Sequence, residues 1–172
     1  MRRSLYLTVA ALGLLAPGIA SSDELTTTNL NMWGAPGGLV DMPTAEAAPD
    51  AQLSTTVSHF GGTTKTSMTF QLSPRLSGTF RYSALRGLNV TGYTLPAYYD
   101  RSFDLRYRVV NEGRYRPAIS VGLRDLLGTG LHGGEYIVAT KSAGKKLRFT
   151  GGLGWGRLGS YGSCATTGTR AT

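Results

Sequence analysis

The chain has 172 residues, among them 24 glycines, and only 16% of its residues are charged. This length has room for about one domain, and many glycines with few charges exclude a protein built from long helices. Lys and Arg outnumber Asp and Glu by 18 to 10, which gives a formal net charge of +8.

Residues 1–22 are predicted to be a cleaved secretory signal. Arg2 and Arg3 provide a positively charged start, residues 5–15 form an apolar run, and residues 17–20 form a small-residue cleavage site. The alternative is a membrane-anchoring helix, but the apolar run is shorter than the roughly 20 residues that cross a bilayer. We therefore expect export from the cytoplasm.

Residues 23–50 are predicted to be an extended leader or plug segment. Residues 21–50 contain five acidic residues and no Lys or Arg, whereas residues 51–157 contain fifteen basic and five acidic residues. A basic surface is often typical of nucleic-acid binding, but an exported chain rarely meets DNA. We expect lipopolysaccharide or an acidic glycan as the partner of this charge, and no nucleic acid.

Residues 51–162 break into short segments in which apolar and polar residues alternate, which is the period of a β-strand. In the clearest segment, Phe103, Leu105, Tyr107 and Val109 alternate with Asp104, Arg106 and Arg108. Clusters of Gly, Pro, Ser and Asn separate the segments. Seven strands are predicted, at residues 53–60, 67–72, 76–83, 103–109, 119–124, 134–141 and 147–155.

The alternation alone leaves two kinds of β-protein open. Strands of roughly 9 to 11 residues can cross a bilayer when tilted, but a soluble β-sandwich or lipocalin-like barrel alternates in the same way. Three features favour the membrane: the export signal, connections that alternate between short and long, and aromatic residues near strand ends, where an interfacial girdle would place them. These aromatic residues are Phe103, Tyr136 and Trp155.

The predicted fold is all-β, the N-terminal portion of an antiparallel transmembrane β-barrel in the bacterial outer membrane. The short connections are expected at residues 73–75, 111–115 and 142–145, and the longer ones at residues 86–100 and 126–133. Residues 163–172 are predicted to be an irregular tail. Seven strands leave an unpaired edge, and bacterial barrels close with an even number. We therefore expect a truncated or frameshifted barrel.

Arginines recur on the polar side of the predicted strands. An arginine that faces lipid costs about 2 to 4 kcal/mol at the bilayer midplane, so in a barrel these side chains must point inward. One hypothesis is a basic ladder that attracts an anionic exopolysaccharide, because rings of charge select ions in pores. The alternative is that they solvate a wet lumen or pair with acidic residues. The candidate binding residues are Arg81, Asp104, Arg106, Arg108, Arg124 and Arg148.

Residues 31–45, NMWGAPGGLVDMPTA, resemble the opening signature of the YjbH/GfcD family, in which the matching residues are Trp33, Pro36, Gly38, Leu39, Pro43 and Thr44. Further similar blocks lie at residues 99–107, 122–130, 133–141 and 152–159. The resemblance covers residues 30–162. It implies an outer-membrane β-barrel protein linked to exopolysaccharide production and export, several times longer than this chain. Many relatives carry a lipidated N-terminal cysteine that has no counterpart here.

No catalytic, cofactor or metal site is predicted. His59 and His132 are isolated from other metal-ligating residues, and the single cysteine, Cys164, cannot form an internal disulfide. Residues 154–159 match a dinucleotide-binding glycine pattern, but no helix or suitably spaced acidic residue follows.

We therefore expect no enzyme, but an outer-membrane component that supports exopolysaccharide secretion or assembly with other export proteins. A soluble periplasmic glycan-binding β-domain and a passive porin fragment are the alternatives.

Overall fold

The computed structural model describes residues 29–90, 93–144 and 147–159; the predicted signal and tail lie outside these ranges. The described residues contain nine strands and one short 3₁₀ helix, Gly156–Gly159. The strands are β1 Leu53–Phe60, β2 Thr63–Gln71, β3 Leu76–Leu85, β4 Leu88–Val90, β5 Tyr93–Leu95, β6 Tyr98–Val110, β7 Ala118–Gly128, β8 Gly134–Ala143 and β9 Leu147–Gly154.

Seven of these strands form one curled antiparallel sheet in the order β1-β2-β3-β6-β7-β8-β9. Every pair of neighbours is antiparallel. The remaining two, β4 and β5, form a small hairpin within the connection between β3 and β6. The seven predicted strands are the seven strands of the sheet, so the all-β antiparallel prediction is confirmed; the β4–β5 hairpin was not predicted.

The predicted alternation of connection lengths is wrong between β6 and β8. The connection at residues 111–117 is longer than the one at residues 129–133, because β7 continues to Gly128. The pairing of β6 with β7 shifts between Phe103 and Leu105, and Asp125 has a φ of 53°. A β-bulge in β7 therefore absorbs residues that the sequence suggested for a loop.

The two faces of the sheet have the reverse of the usual polarity. In β3, Phe80 is 46% exposed, whereas its neighbour Arg81 is 0% exposed. The outer face carries exposed apolar residues, among them Val57, Met68, Phe70, Phe80, Tyr82, Tyr107, Val121, Ile137, Phe149 and Leu153. The inner face carries buried polar residues, among them Lys65, Ser67, Thr69, Gln71, Ser77, Thr79, Arg81, Ser83, Asp100, Ser102, Arg106, Ser120, Arg124 and Thr140. A half-buried soluble sheet normally buries its apolar side.

Residues 29–50, which we call the leader segment, contribute to the burial of the inner face. Ala45 of this segment packs in a small apolar cluster with Ala118, Tyr136 and Val138, and Leu158 packs against it. The Ala45 amide also donates to Oγ1 of Thr140 at 2.9 Å.

Among the residues described, no helix has both the length and the apolarity to cross a membrane.

Candidate functional site on the inner face

Trp33 of the leader segment is 1% exposed and lies at the centre of the inner face. Four cationic groups surround its indole, and we call them the cation cage: Lys65 Nζ at 4.6 Å from the ring centroid, Arg81 Cζ at 4.5 Å, Arg124 Cζ at 4.8 Å and Arg157 Cζ at 4.4 Å. A cation over an indole face contributes about 0.5 to 2 kcal/mol, more when both are removed from water. The cage therefore holds the leader segment against the sheet.

A local turn presents Trp33 to the cage. The Asn31 side-chain oxygen accepts hydrogen bonds from the amides of Trp33 and Ala35, both at 3.0 Å. This pattern is typical of Asn at a turn. Gly34 has a φ of 79°, and a Cβ atom there would lie 2.7 Å from Cβ of Ser67 in β2. Glycine thus allows both the turn and the close approach of the leader segment to the sheet.

The predicted basic ladder binds the leader segment through backbone carbonyls. Arg106 donates from Nη1 to the carbonyls of Pro36 at 3.1 Å and Thr44 at 3.2 Å. Arg108 donates from Nε to the carbonyl of Ala45 at 3.1 Å. Hydrogen bonds from a charged donor are stronger than neutral ones, so these arginines provide the strongest hydrogen bonds to the buried carbonyls of the leader segment.

Two acidic residues of the leader segment pair with other arginines. The Asp41 carboxylate binds Arg124 at 3.2 Å and Arg157 at 3.2 Å, and Glu46 forms an ion pair with Arg148. Burial raises the pKa of Asp41, but the positive charges of Arg157 and Arg124 lower it more, so the pKa lies below its usual value. Asp41 is therefore ionised in the folded protein at neutral pH.

The remaining candidate, Asp104, pairs within the sheet. It forms an ion pair with Arg81, whose guanidinium also donates to Ser102 Oγ at 3.1 Å and to the Trp33 carbonyl at 3.4 Å. The structure thus brings all five predicted arginines into contact with the leader segment. The sequence interpretation missed this partner, and it missed Lys65, Asp41 and Arg157 as members of the site.

Comparison with known proteins matches the leader segment and the sheet together. A family model described as "Exopolysaccharide biosynthesis protein YbjH" matches residues 29–171. The chain belongs to this YjbH family. A protein of Escherichia coli strain K12 named "Uncharacterized lipoprotein YjbH" is 38% identical over 130 residues, which is 73% of this chain and 18% of that protein. The chain therefore spans less than a fifth of the relative's length. No solved structure matches the chain.

Most of the YjbH-family signature residues determine the conformation of the leader segment or are buried against the sheet. Gly38 has a φ of 86°, and a Cβ atom there would lie 2.2 Å from the Met42 carbonyl oxygen, so only glycine fits. Pro36, Pro43 and Thr44 are buried. Leu39 is the exception, because it is 82% exposed and turns away from the sheet.

His132 completes the surroundings of Trp33 in this YjbH-family chain, a position that the sequence interpretation did not predict. Its ring meets the indole edge to face, with 5.2 Å between centroids. Burial, followed by the positive charges of Arg157 and Lys65, lowers the pKa of His132 to about 3. The histidine is therefore neutral at physiological pH. In the described residues no three His, Cys, Asp or Glu side chains are placed to bind a metal ion.

The inner face is tightly filled beside Trp33 and more open further along. A void of about 10 Å³ lies between Trp33 and the sheet, which is room for about one water molecule. Beyond the buried Ala45, a recess of about 240 Å³ opens between the leader segment and the sheet. It is lined by Ala45, Glu46, Ala47, Arg108, Glu112, Ala118, Thr140 and Arg148.

Two of the three aromatic residues predicted for an interfacial girdle lie elsewhere. Tyr136 is buried on the inner face, and Phe103 lies in the middle of β6. Trp155 is exposed directly after β9, at the end of the strand. The observed β6 begins at Tyr98 and not at Phe103, so Phe103 no longer lies at a strand end. The start of β8 is where the sequence predicted it, but Tyr136 faces inward.

Proposed function

We propose that this chain forms part of an outer-membrane β-barrel that supports exopolysaccharide secretion or assembly, as a transport or assembly component and not as an enzyme. The observation that carries the proposal is the reversed polarity of the sheet, with exposed Phe80 and buried Arg81 as neighbours. Family membership supports the link to exopolysaccharide. The location in the bacterial outer membrane, among lipid and lipopolysaccharide, is part of the proposal.

The outer face supports contact with lipid because its apolar residues are contiguous. Cross-strand pairing joins Leu76, Tyr107, Val121, Ile137 and Leu153 into one row across five strands. Four of these five side chains are exposed and large. Soluble monomers rarely expose contiguous apolar patches of more than a few hundred Å², whereas the hydrocarbon of a bilayer would cover such a face.

The filled inner face favours a closed secretion component over a passive porin. Arg106, Arg124 and Arg157 hold the leader segment against the sheet, and the void beside Trp33 is about 10 Å³. Beside Trp33, small solutes could not pass between the leader segment and these strands. Transport of an anionic exopolysaccharide, with the help of other export proteins, would require the segment to move.

Cell fractionation tests the proposal. The full chain, expressed with its own N-terminus, should sediment with outer membranes, resist carbonate extraction and require detergent for release. Deletion of the gene should lower the polysaccharide secreted by the native host. Release of the protein by osmotic shock would contradict membrane insertion and favour the soluble glycan-binding domain. Conductance of small solutes in planar bilayers, with unchanged polysaccharide output, would favour the passive porin.

A further inference from the structure

The cation cage brings four positive groups to within 4.4 to 4.8 Å of one point, the centroid of the Trp33 ring. Like charges gathered around one ring repel one another in a poorly solvated interior. The indole Nε1 is also buried without a hydrogen-bond partner among the described residues. Both features oppose the cation–π attraction that holds Trp33 in place, and unfavourable features of this kind are expected where a structure serves a function.

The leader segment supplies both the ring and a counterion of the cage. Trp33 fills the space between the cations, and Asp41 pairs with Arg124 and Arg157 from the same short stretch of chain. If the segment withdraws, the ring and the carboxylate leave together. Arg124 and Arg157 then lose their acidic partner, while Asp104 remains paired with Arg81 on the sheet.

We propose that the cation cage is a binding site for carboxylate groups of an acidic polysaccharide, and that Trp33 and Asp41 occupy it until the polymer displaces them. Arg124 and Arg157 already bind a carboxylate, that of Asp41, and Arg157 does so with two nitrogens at 3.3 and 3.2 Å. A guanidinium binds carboxylates of a protein and of a sugar acid in the same way. The polymer's carboxylate thus replaces Asp41, and the leader segment acts as an internal competitor. The identity of the polymer as an export substrate rests on the proposed function; the binding site does not.

Two substitutions that break the same ion pair distinguish this site from a structural contact. Asp41→Asn weakens the hold of the leader segment on the cage and leaves the cage itself intact. The segment is then withdrawn in a larger fraction of the molecules, so the variant should bind polygalacturonate oligosaccharides about tenfold more tightly. Arg157→Gln removes a cage residue and should weaken the same binding. A purely structural ion pair would give both variants the same direction of change. Asp41→Glu should restore the parent affinity.

Tryptophan fluorescence is measured on the full chain in detergent micelles. The chain carries Trp155→Phe, so that Trp33 is the remaining tryptophan. Polygalacturonate should shift the Trp33 emission to the red as the indole leaves the cage, and neutral dextran should not. Asp50→Asn, in the same segment but exposed and away from the cage, is the matched charge control and should bind like the parent.

Absence of a red shift, or changes in the same direction for Asp41→Asn and Arg157→Gln, would overturn the site. Binding is scored on detergent-solubilised protein, and membrane location is scored by fractionation. A chain that inserts into the outer membrane but does not bind polygalacturonate refutes this inference alone.

Discussion

The ring of Tyr136 in β8 lies directly over Gly122, its cross-strand partner in β7. A Cβ atom at position 122 would lie 2.2 Å from Cζ of Tyr136. An aromatic ring laid over a glycine covers the bare backbone of the neighbouring strand and fixes the register of the pair. Here the same ring also packs with Ala45 of the leader segment, so strand pairing and segment docking depend on one contact.

Gly122→Ala should therefore destabilise the folded protein by about 1 to 3 kcal/mol, as overpacking does in a tight interior. The free energy of unfolding in urea, measured in detergent micelles, tests this. The matched control is Gly151→Ala in β9, where an added Cβ meets nothing within 4 Å. Loss of glycine flexibility by itself does not destabilise the fold at these positions. Equal destabilisation by both substitutions would therefore show that the Tyr136 contact is not responsible.

Val121→Arg should prevent or weaken membrane insertion. Val121 lies in the central part of the apolar row on the outer face, and an arginine facing lipid costs about 2 to 4 kcal/mol near the midplane. The fraction of protein that resists carbonate extraction measures the effect. Tyr115→Arg, in the connection after β6 and 86% exposed, should insert normally. Normal insertion of Val121→Arg would place this face in water.

Acid should destabilise the protein through His132. The pKa of His132 is about 3 in the folded state, whereas an unfolded histidine has a pKa of about 6.5. Below pH 6.5 the unfolded state binds a proton that the folded state does not, so stability falls as the pH falls towards 3 and is independent of this group above 6.5. The loss between pH 6.5 and 5 should be about 1.5 kcal/mol.

His132→Gln should remove most of this pH dependence, and unfolding curves at pH 7.5, 6.5 and 5 would show it. His59→Gln is the control, because His59 lies in β1 and its ring is exposed, bound to Thr64 Oγ1 at 2.8 Å. If the free energy of unfolding of His132→Gln still depends on pH to the same extent, other titrating groups are responsible for that dependence.

Arg106→Gln should loosen the leader segment more than Arg148→Gln does. Arg106 is buried and serves the carbonyls of both Pro36 and Thr44, and an unpaired buried acceptor costs about 1 to 3 kcal/mol. Arg148 is more than half exposed, where an ion pair contributes at most about 1 kcal/mol. The red shift of Trp33 emission, measured in the Trp155→Phe background, reports how far the leader segment leaves the sheet. Equal red shifts in the two variants would contradict the anchoring role of Arg106.

Much of the sheet could be predicted because alternation is a local property. The two-residue period determines which side chains share a face, so Phe80 and Arg81 could be assigned to opposite faces without knowledge of the fold. Strand ends were less predictable. β7 continues through a bulge at Asp125, because pairing with β6 overrides the loss of a regular pattern.

The candidate site was half predicted. The sequence placed the arginines on the inner side. The contrast between the acidic residues 21–50 and the basic residues 51–157 was a signal that could have predicted contact between the leader segment and the sheet. That signal was not enough to identify Asp41 as the partner of Arg157, or to predict that His132 and Lys65 contact Trp33. These residues come from separate stretches of chain and share no periodic pattern.

The amino-acid sequence by itself thus determined the strands, the polarity of their two faces and the inward position of the arginines, because neighbouring residues set each of these. Only the tertiary structure decided what the arginines bind. Asp41 and Arg157 are separated by 116 positions, and they meet because the leader segment lies on the inner face of the curled sheet. A contact of that separation depends on the path of the whole chain, which no local pattern of side chains encodes.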